Sequence, residues 1–368
     1  MTNEISAFCE LPFRKIKVTA SGEVSMCCYQ SGSLGNLLKT PFDTIWNSAM
    51  AEEVRRQTEA GSLHPMCVGW GGCPFICAPR EPKSLQFEHA YPTKLELDLP
   101  NTHCNIGGVT PTPETACFMC PRSLSDFQAE PDITLELVDN LKFLMPYLKH
   151  VTVQGISELF WKNRVFEVLD RLGFEPYKHH CHFSAYSNAI VFNEAPRAQF
   201  IEACPDSHLI FSIDAATPET YIKIRRLPAF ERVTANIRAF VAERTACQVS
   251  EIANNLNMIN LGEAVQMVEL AADLGVDAIQ FNPTHDGGTG REDLRHLQVN
   301  NDNYLEFARM QDRIAERAEQ LGLICQFIRP LALNYPTTEI PLHPVAIPTL
   351  IGQRESRWRS LLRLATRN

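Results

Sequence analysis

"KLELDLPNTHCNIGGVTPTPETACFMCP", residues 94–121, decides how this chain is read. Leu95, Leu97 and Leu99 alternate with Lys94, Glu96 and Asp98, the period of a strand. The strand stops at Pro100 and runs straight into a polar turn and Cys104. Twelve residues later comes a tight pair, Cys117 and Cys120, across a loop holding Gly107, Gly108, Pro111 and Pro113. Three thiols are one short of a closed four-coordinate metal site, and thiolates suit zinc or iron–sulfur clusters. His103 stands beside Cys104 as a fourth ligand for zinc. In a three-cysteine iron cluster the vacancy instead leaves one iron open to a small molecule.

Downstream, strand and helix patterns alternate. "HVTVQG" (150–155), "HFSAYSN" (182–188), "HLIFSID" (208–214), "VSEIANNLNM" (249–258) and "VDAIQFNP" (276–283) read as strands. Helical patterns separate them: "ITLELVDNLKFLMPYL" (133–148), "LFWKNRVFEVLDRLGF" (159–174), "NEAPRAQFIEAC" (193–204), "PETYIKIRR" (218–226), "AFERVTANIRAFVAE" (229–243) and "GEAVQMVELAADLG" (262–275). This rhythm predicts an α/β fold with a parallel sheet, as an open sheet or a partial barrel, with ligands at the C-terminal ends of the strands.

Upstream, residues 1–85 read as a small cysteine-rich α+β module. "FRKIKVTASGEVSMCC" (13–28) is a hairpin turning at Ser21-Gly22, and "PFDTIWNSAMAEEVRRQTEAG" (41–61) is a helix stopped by Gly61. "HPMCVGWGGCPFICAP" (64–79) then needs a staple, which a metal would supply.

The chain has 368 residues, 45% hydrophobic, with Lys+Arg 34 against Asp+Glu 43 and a net charge of −9. That balance argues against a broad nucleic-acid footprint. No apolar run approaches the ~18–20 residues that cross a bilayer, and the N-terminus lacks a basic segment followed by an apolar one. The expectation is a soluble cytoplasmic protein with no nucleic-acid or membrane partner. Nine of the thirteen cysteines lie in the first 120 residues. In a reducing compartment such clustering points to metal or catalysis rather than disulfides.

The strand-end motifs together resemble the radical S-adenosylmethionine (radical SAM) enzymes. That family opens with a strand, an Asn-rich turn, Cys-Asn and finally Cys-x-x-Cys-Pro-Arg; here the chain has "LELDLPNTHCNI…CFMCPRS". Its second strand ends in a Gly-Gly-Glu-Pro-like turn, matched by Gly155 and Glu158, and its third in a turn matched by Ser187 and Asn188. The fourth carries Ser-x-Asp, a Tyr and an Arg, matched by Ser212, Asp214, Tyr221, Arg225 and Arg226. The family spaces its first two cysteines by three residues, and twelve stand here. Loop closure costs only about 0.6 kcal/mol per doubling, so the longer loop is tolerable.

The resemblance implies a partial (β/α)6 barrel over about 92–300, with a helical or irregular extension over 301–368. It implies a [4Fe-4S] cluster on Cys104, Cys117 and Cys120 with S-adenosylmethionine on its open iron. Reductive cleavage to a 5′-deoxyadenosyl radical then takes hydrogen from a peptide or small-metabolite substrate, with electrons from a flavodoxin- or ferredoxin-type donor. It also implies that Gly155 and Glu158 receive the cofactor ammonium, that Ser187, Ser212 and Asp214 meet the ribose, and that Arg225 or Arg226 meets the methionine carboxylate. Ordinary helix capping or turn formation is the alternative for each of these polar residues.

The N-terminal spacings are similar to the SPASM and twitch auxiliary-cluster domains, displaced ahead of the core. They imply one auxiliary [4Fe-4S] cluster from Cys9, Cys27, Cys73 or Cys67, and Cys77, with Cys28 as an alternative to Cys27 and zinc as the alternative metal. His64 occupies a position where the longer form has cysteine. A non-catalytic iron–sulfur or zinc protein using the barrel as a scaffold is the competing reading of the whole chain. "KHHCHFS" (178–184) reads as ordinary strand structure, the four scattered cysteines as apolar filler, "HDGGTGRED" (285–293) as a loop over the barrel mouth, and "SRWRSLLRLATRN" (356–368) as a basic surface helix.

Overall fold

A computed structural model describes residues 9–27, 30–62, 64–67, 90–98, 116–120, 134–155, 158–284 and 296–328. Cys28, Cys73, Cys77 and Cys104, the loop 285–293 and the C-terminal basic segment lie outside the described residues.

The chain opens with one turn of helix, α1 (Leu11–Arg14), and strand β1 (Lys15–Val18), which turns back into β2 (Glu23–Ser25) and then β3 (Gly35–Asn36). The hairpin turn needs Gly22: its φ is +85°, and a Cβ there would sit 2.9 Å from Asn36 Oδ1. The single helix expected over 41–61 is two, α2 (Phe42–Trp46) and α3 (Ala49–Glu59). Ser48, in extended backbone between them, accepts from the Ala51 N–H and starts α3 afresh.

The alternating unit then follows: β4 (Lys94–Asp98), α4 (Leu135–Asp139), β5 (His150–Gln154), α5 (Arg164–Leu172), β6 (His182–Ser187), α6 (Glu194–Ala203) and β7 (Ser207–Ser212). After α7 (Pro218–Arg225) and α8 (Phe230–Glu243) come β8 (Gln248–Leu256), α9 (Ala264–Leu274), β9 (Ala278–Pro283), α10 (Tyr304–Leu321) and β10 (Ile324–Phe327). Helix α5 begins later than its pattern suggests, because Lys162 and Asn163 take left-handed backbone at φ 52° and 59°. Only the front of the 133–148 pattern is α-helix; a 3₁₀ turn, Lys142–Leu144, replaces the rest.

The ten strands form one sheet in the order β10-β9-β8-β7-β6-β5-β4-β1-β2-β3, and every pairing from β10 to β1 is parallel. Consecutive neighbours from β4 to β10 mean that this unit winds in one direction, as a curled barrel sheet does; a doubly wound sheet would reverse order. The sheet is not closed.

Two features depart from the expected partition. Strand β1 of the N-terminal module pairs in parallel with β4, Lys15 opposite Lys94 and Val18 opposite Leu97, so module and barrel share a sheet. The segment after residue 300 adds β10 beside β9, so the sheet runs past the boundary drawn there.

Alternation along the strands separates two faces. Ile16, Val18, Leu95, Leu97, Val151, Val153, Leu209 and Phe211 are fully buried on the helix side, where successive helices α6, α8, α9 and α10 pack side by side. A ring cluster of Phe160, Phe192, Phe200, Phe211 and Phe240 fills this layer, with Phe160 and Phe192 centroids 4.4 Å apart. The opposite face carries Lys15, Lys17, Glu96, Asp98, His150, Gln154 and His208. Glu96 sits buried among Lys15, Lys17 and Gln154, and Lys17 also reaches Asp98 at 3.1 Å. This polar network joins the N-terminal strand to the barrel.

Candidate functional site

The C-terminal ends of β5, β6 and β7 and the helix that follows β7 bring the barrel's expected site residues together. β5 ends beside Gly155, whose φ is +144° and which is exposed. Glu158 follows and is 1% exposed. Its Oε1 accepts from Ser187 Oγ at 2.9 Å and from the Phe160 N–H at 3.2 Å, and its Oε2 from the Asn188 N–H at 2.7 Å. Burial outweighs those donors and raises its pKa to about 7. Glu158 therefore sits at the balance between carboxylic acid and carboxylate near neutral pH.

The turn after β6 is tightly held. The Ala189 N–H donates to Ser187 Oγ, the Ile190 N–H to Asn188 Oδ1, and Asn236 Nδ2 to the Ala189 carbonyl. Ala189 takes left-handed backbone, φ 58°, which is strained for a residue with a Cβ.

At the end of β7, Ser212 is half-buried while Asp214 is fully buried. Asp214 Oδ1 accepts from the backbone N–H and side-chain Nδ2 of Asn255 at the end of β8, at 2.7 and 3.3 Å. Its Oδ2 pairs with Arg225 Nη2 at 2.5 Å. Asn260 Nδ2 donates to the Asp214 carbonyl. The carboxylate is thus occupied by protein partners, and its part in this structure is to hold Arg225. Asn255 and Asn260 carry no motif that marks them in the sequence.

Helix α7 delivers Arg225. Thr217 caps its start, and Glu263 accepts from the Ala216 N–H, Thr217 Oγ1 and Thr220 Oγ1, fixing the first turn. Its last turn receives the cysteine pair. The Phe118 N–H donates to the Ile224 carbonyl at 3.1 Å, the Cys117 thiol to the Arg225 carbonyl at 3.9 Å, and Arg225 Nη1 to Cys117 Sγ at 3.9 Å. The Cys120 N–H closes onto the Cys117 carbonyl, so one turn presents both thiols. Burial raises the Cys117 thiol to about 11 against the opposing pull of Arg225. Arg226 takes left-handed backbone at the helix end and is exposed. Tyr221 lies fully buried near Arg225, Cys117, Asp214 and Glu158, with no hydrogen-bond partner for its hydroxyl among the described residues.

The donor set fits a thiolate-bound metal cluster with a zwitterionic ligand. Two cysteines share a turn, a cation touches the sulfur, and a buried carboxylate stands on the neighbouring strand end. Among the described residues no three His, Cys, Asp or Glu side chains are gathered as a metal site, and the expected third ligand, Cys104, lies outside them.

At the other end of the sheet, Cys9 precedes α1 and Cys27 follows β2, which runs antiparallel to β1. Both therefore approach the N-terminal end of the barrel strands. Cys67 is tied there by the Ser31 N–H bond to the Met66 carbonyl, 2.7 Å. All three are half-buried and outside any disulfide.

Residues 9–74 match the SPASM family, an iron–sulfur cluster-binding domain. The match covers the auxiliary module expected ahead of the barrel, and Cys77 falls just past its end. No curated protein matches the chain in sequence. Among solved structures, the chain is similar to Streptococcus suis SuiB bound to its precursor peptide SuiA, at 11% identity and a TM-score of 0.46, over 64% of this chain and 49% of that one. It is similar also to anSMEcpe with bound AdoMet, at 14% identity and a TM-score of 0.48, over 63% of this chain and 61% of that one. The chain spans about half the length of SuiB. No described helix is long and apolar enough to cross a membrane.

Proposed function

We propose that this protein is a radical S-adenosylmethionine enzyme with an N-terminal auxiliary iron–sulfur cluster. The observation that carries the reading is the meeting of Cys117, Arg225, Asp214 and Glu158 at adjacent parallel strand ends, together with the family's motif order along the sequence. Cys104, Cys117 and Cys120 would hold a [4Fe-4S] cluster, and Gly155, Glu158, Ser187, Ser212 and Arg225 would surround S-adenosylmethionine. Cofactor and cluster together supply reductively driven hydrogen abstraction from carbon.

The protein's own groups orient that chemistry. Glu158, held by Ser187 and Asn188, offers a carboxylate to the cofactor ammonium. Such charge-assisted bonds are short and strong in a dry site. Ser212 and Ser187 offer hydroxyls to ribose. Arg225 offers cationic charge to the carboxylate, and Asp214 fixes its direction. In the N-terminal module Cys9, Cys27, Cys73 or Cys67, and Cys77 would hold the second cluster, as the SPASM match supports. The substrate is a peptide or small metabolite, and a flavodoxin- or ferredoxin-type protein supplies electrons.

Anaerobic reconstitution tests this directly. Iron and sulfide should reach two clusters per chain, and should fall to one in the Cys104→Ala/Cys117→Ala/Cys120→Ala variant. The reduced wild-type protein should show an electron paramagnetic resonance signal that changes on adding S-adenosylmethionine. Loss of all iron in that variant would remove the auxiliary cluster from the account. A signal indifferent to S-adenosylmethionine would remove the enzyme.

A further inference from the structure

The Cys117 sulfur occupies an adverse place for negative charge. It is 6% exposed and lies against the C-terminal carbonyls of α7, the negative end of a helix. The Arg225 side chain offsets this. The Arg225 guanidinium forks between two partners: Nη2 pairs with fully buried Asp214 at 2.5 Å, and Nη1 points to Cys117 Sγ at 3.9 Å. Asp214 is itself locked by Asn255 through its backbone N–H and side chain. The arginine is therefore held by a relay that starts on β8 and ends on the cysteine sulfur.

We infer that Arg225 is a positioning residue for electron transfer: its charge and its N–H donor at Cys117 raise the reduction potential of the cluster that Cys117 helps to hold. This rests on the radical SAM reading. Adding an electron makes a thiolate-ligated cluster more negative, so a fixed cation and hydrogen bond at a ligating sulfur favour the reduced form. The role is separate from any contact between Arg225 and cofactor, because the sulfur contact is one that the protein makes between its own groups. Lys cannot reproduce it, since one ammonium on a flexible stem does not fork between Asp214 and the sulfur in fixed geometry.

The test is a potentiometric titration of the reconstituted full-length protein without S-adenosylmethionine, followed by electron paramagnetic resonance. The relevant signal is the one missing from the Cys104/Cys117/Cys120 triple Ala variant. Arg225→Met should move its midpoint to a more negative potential, and Arg225→Lys should fall between Met and wild type. The signal of the N-terminal cluster, which survives in the triple variant, should not move. Midpoints unchanged in both Arg225 variants overturn the inference and leave the functional reading intact. If Arg225→Met fails to load iron, Arg225→Lys against wild type decides, and equality overturns the inference. If the triple variant keeps every signal of the wild type, the functional reading falls and this inference falls with it.

Discussion

Ser187 donates its hydroxyl hydrogen to Glu158 Oε1 over 2.9 Å, joining the end of β6 to the segment that follows β5. With the Asn188 N–H it keeps a buried carboxyl aimed in one direction, with a pKa raised by burial to about 7. Below that value Glu158 is protonated, and above it the group is an anion able to receive an ammonium. Affinity for S-adenosylmethionine should rise as pH climbs from about 6 to 8, and Glu158→Gln should bind weakly at every pH with no such rise. Equilibrium dialysis of the reconstituted protein across this range checks both. A Glu158→Gln variant that keeps the pH dependence would place its origin elsewhere.

His150 sets a pH effect on folding. It lies on β5 with Lys94 on β4, Lys15 on β1, His182 on β6 and His208 on β7 around it, and its Nε2 contacts Ser184 Oγ at 2.8 Å. Loss of solvent is the largest cause, and the neighbouring imidazoles and lysines add to it, holding its pKa well below the ordinary 6.5. The unfolded chain then takes up a proton that the folded one refuses, so this group's contribution to stability is complete above pH 6.5 and is lost progressively below it. Urea midpoints should fall between pH 7 and 5, and the fall should be shallower in His150→Gln. Glu158, raised in the fold, works in the other sense between 4.5 and about 7, so comparing single variants with wild type separates the two.

Glu96 ties the N-terminal strand to the barrel through Lys15 and Lys17. Removing one partner of a buried pair leaves the other charges uncompensated, at a cost of about 3–5 kcal/mol. Glu96→Ala should lose stability on that scale and speed hydrogen exchange in β1 ahead of the strands from β5 onward. Uniform exchange across the sheet would show that the network is not the local anchor.

Glu263 holds the first turn of α7 through Thr217, Thr220 and the Ala216 N–H. Glu263→Ala should cost about 1–2 kcal/mol, the range for losing a helix cap. It should also disturb the cysteine-ligated cluster at the far end of α7, seen as a broadened resonance signal. Loss of stability with an unaltered signal would mean that α7 is positioned by its packed face alone.

The parallel strands and their polar ends were legible because parallel units leave local marks: aliphatic alternation, then a polar turn, then a helix. Cys117, Glu158, Ser187, Asp214 and Arg225 were named from the resemblance of those strand ends to the motifs of a known family. What surrounds them could not. The hairpin Lys15–Ser25 announces its own turn through Gly22, but nothing in it says that β1 pairs with β4, a contact made across a long stretch of chain. Ile324–Phe327 is too short to stand out as the strand that extends the sheet past residue 300. Asn255 and Glu263 act through hydrogen bonds to residues far away in sequence, and isolated polar residues give no periodic signal. Asn255 and Arg225 meet the Asp214 carboxylate, contacts that its place in the sequence does not announce.

The central claim is that Cys104, Cys117 and Cys120 form the working end of a radical S-adenosylmethionine enzyme. The most direct measurement is chromatographic detection of 5′-deoxyadenosine and methionine after anaerobic incubation of the reconstituted protein with dithionite and S-adenosylmethionine. Wild type should yield both products, and Cys120→Ala none above background. Products absent from well-loaded wild type, or equal amounts from Cys120→Ala, would contradict it.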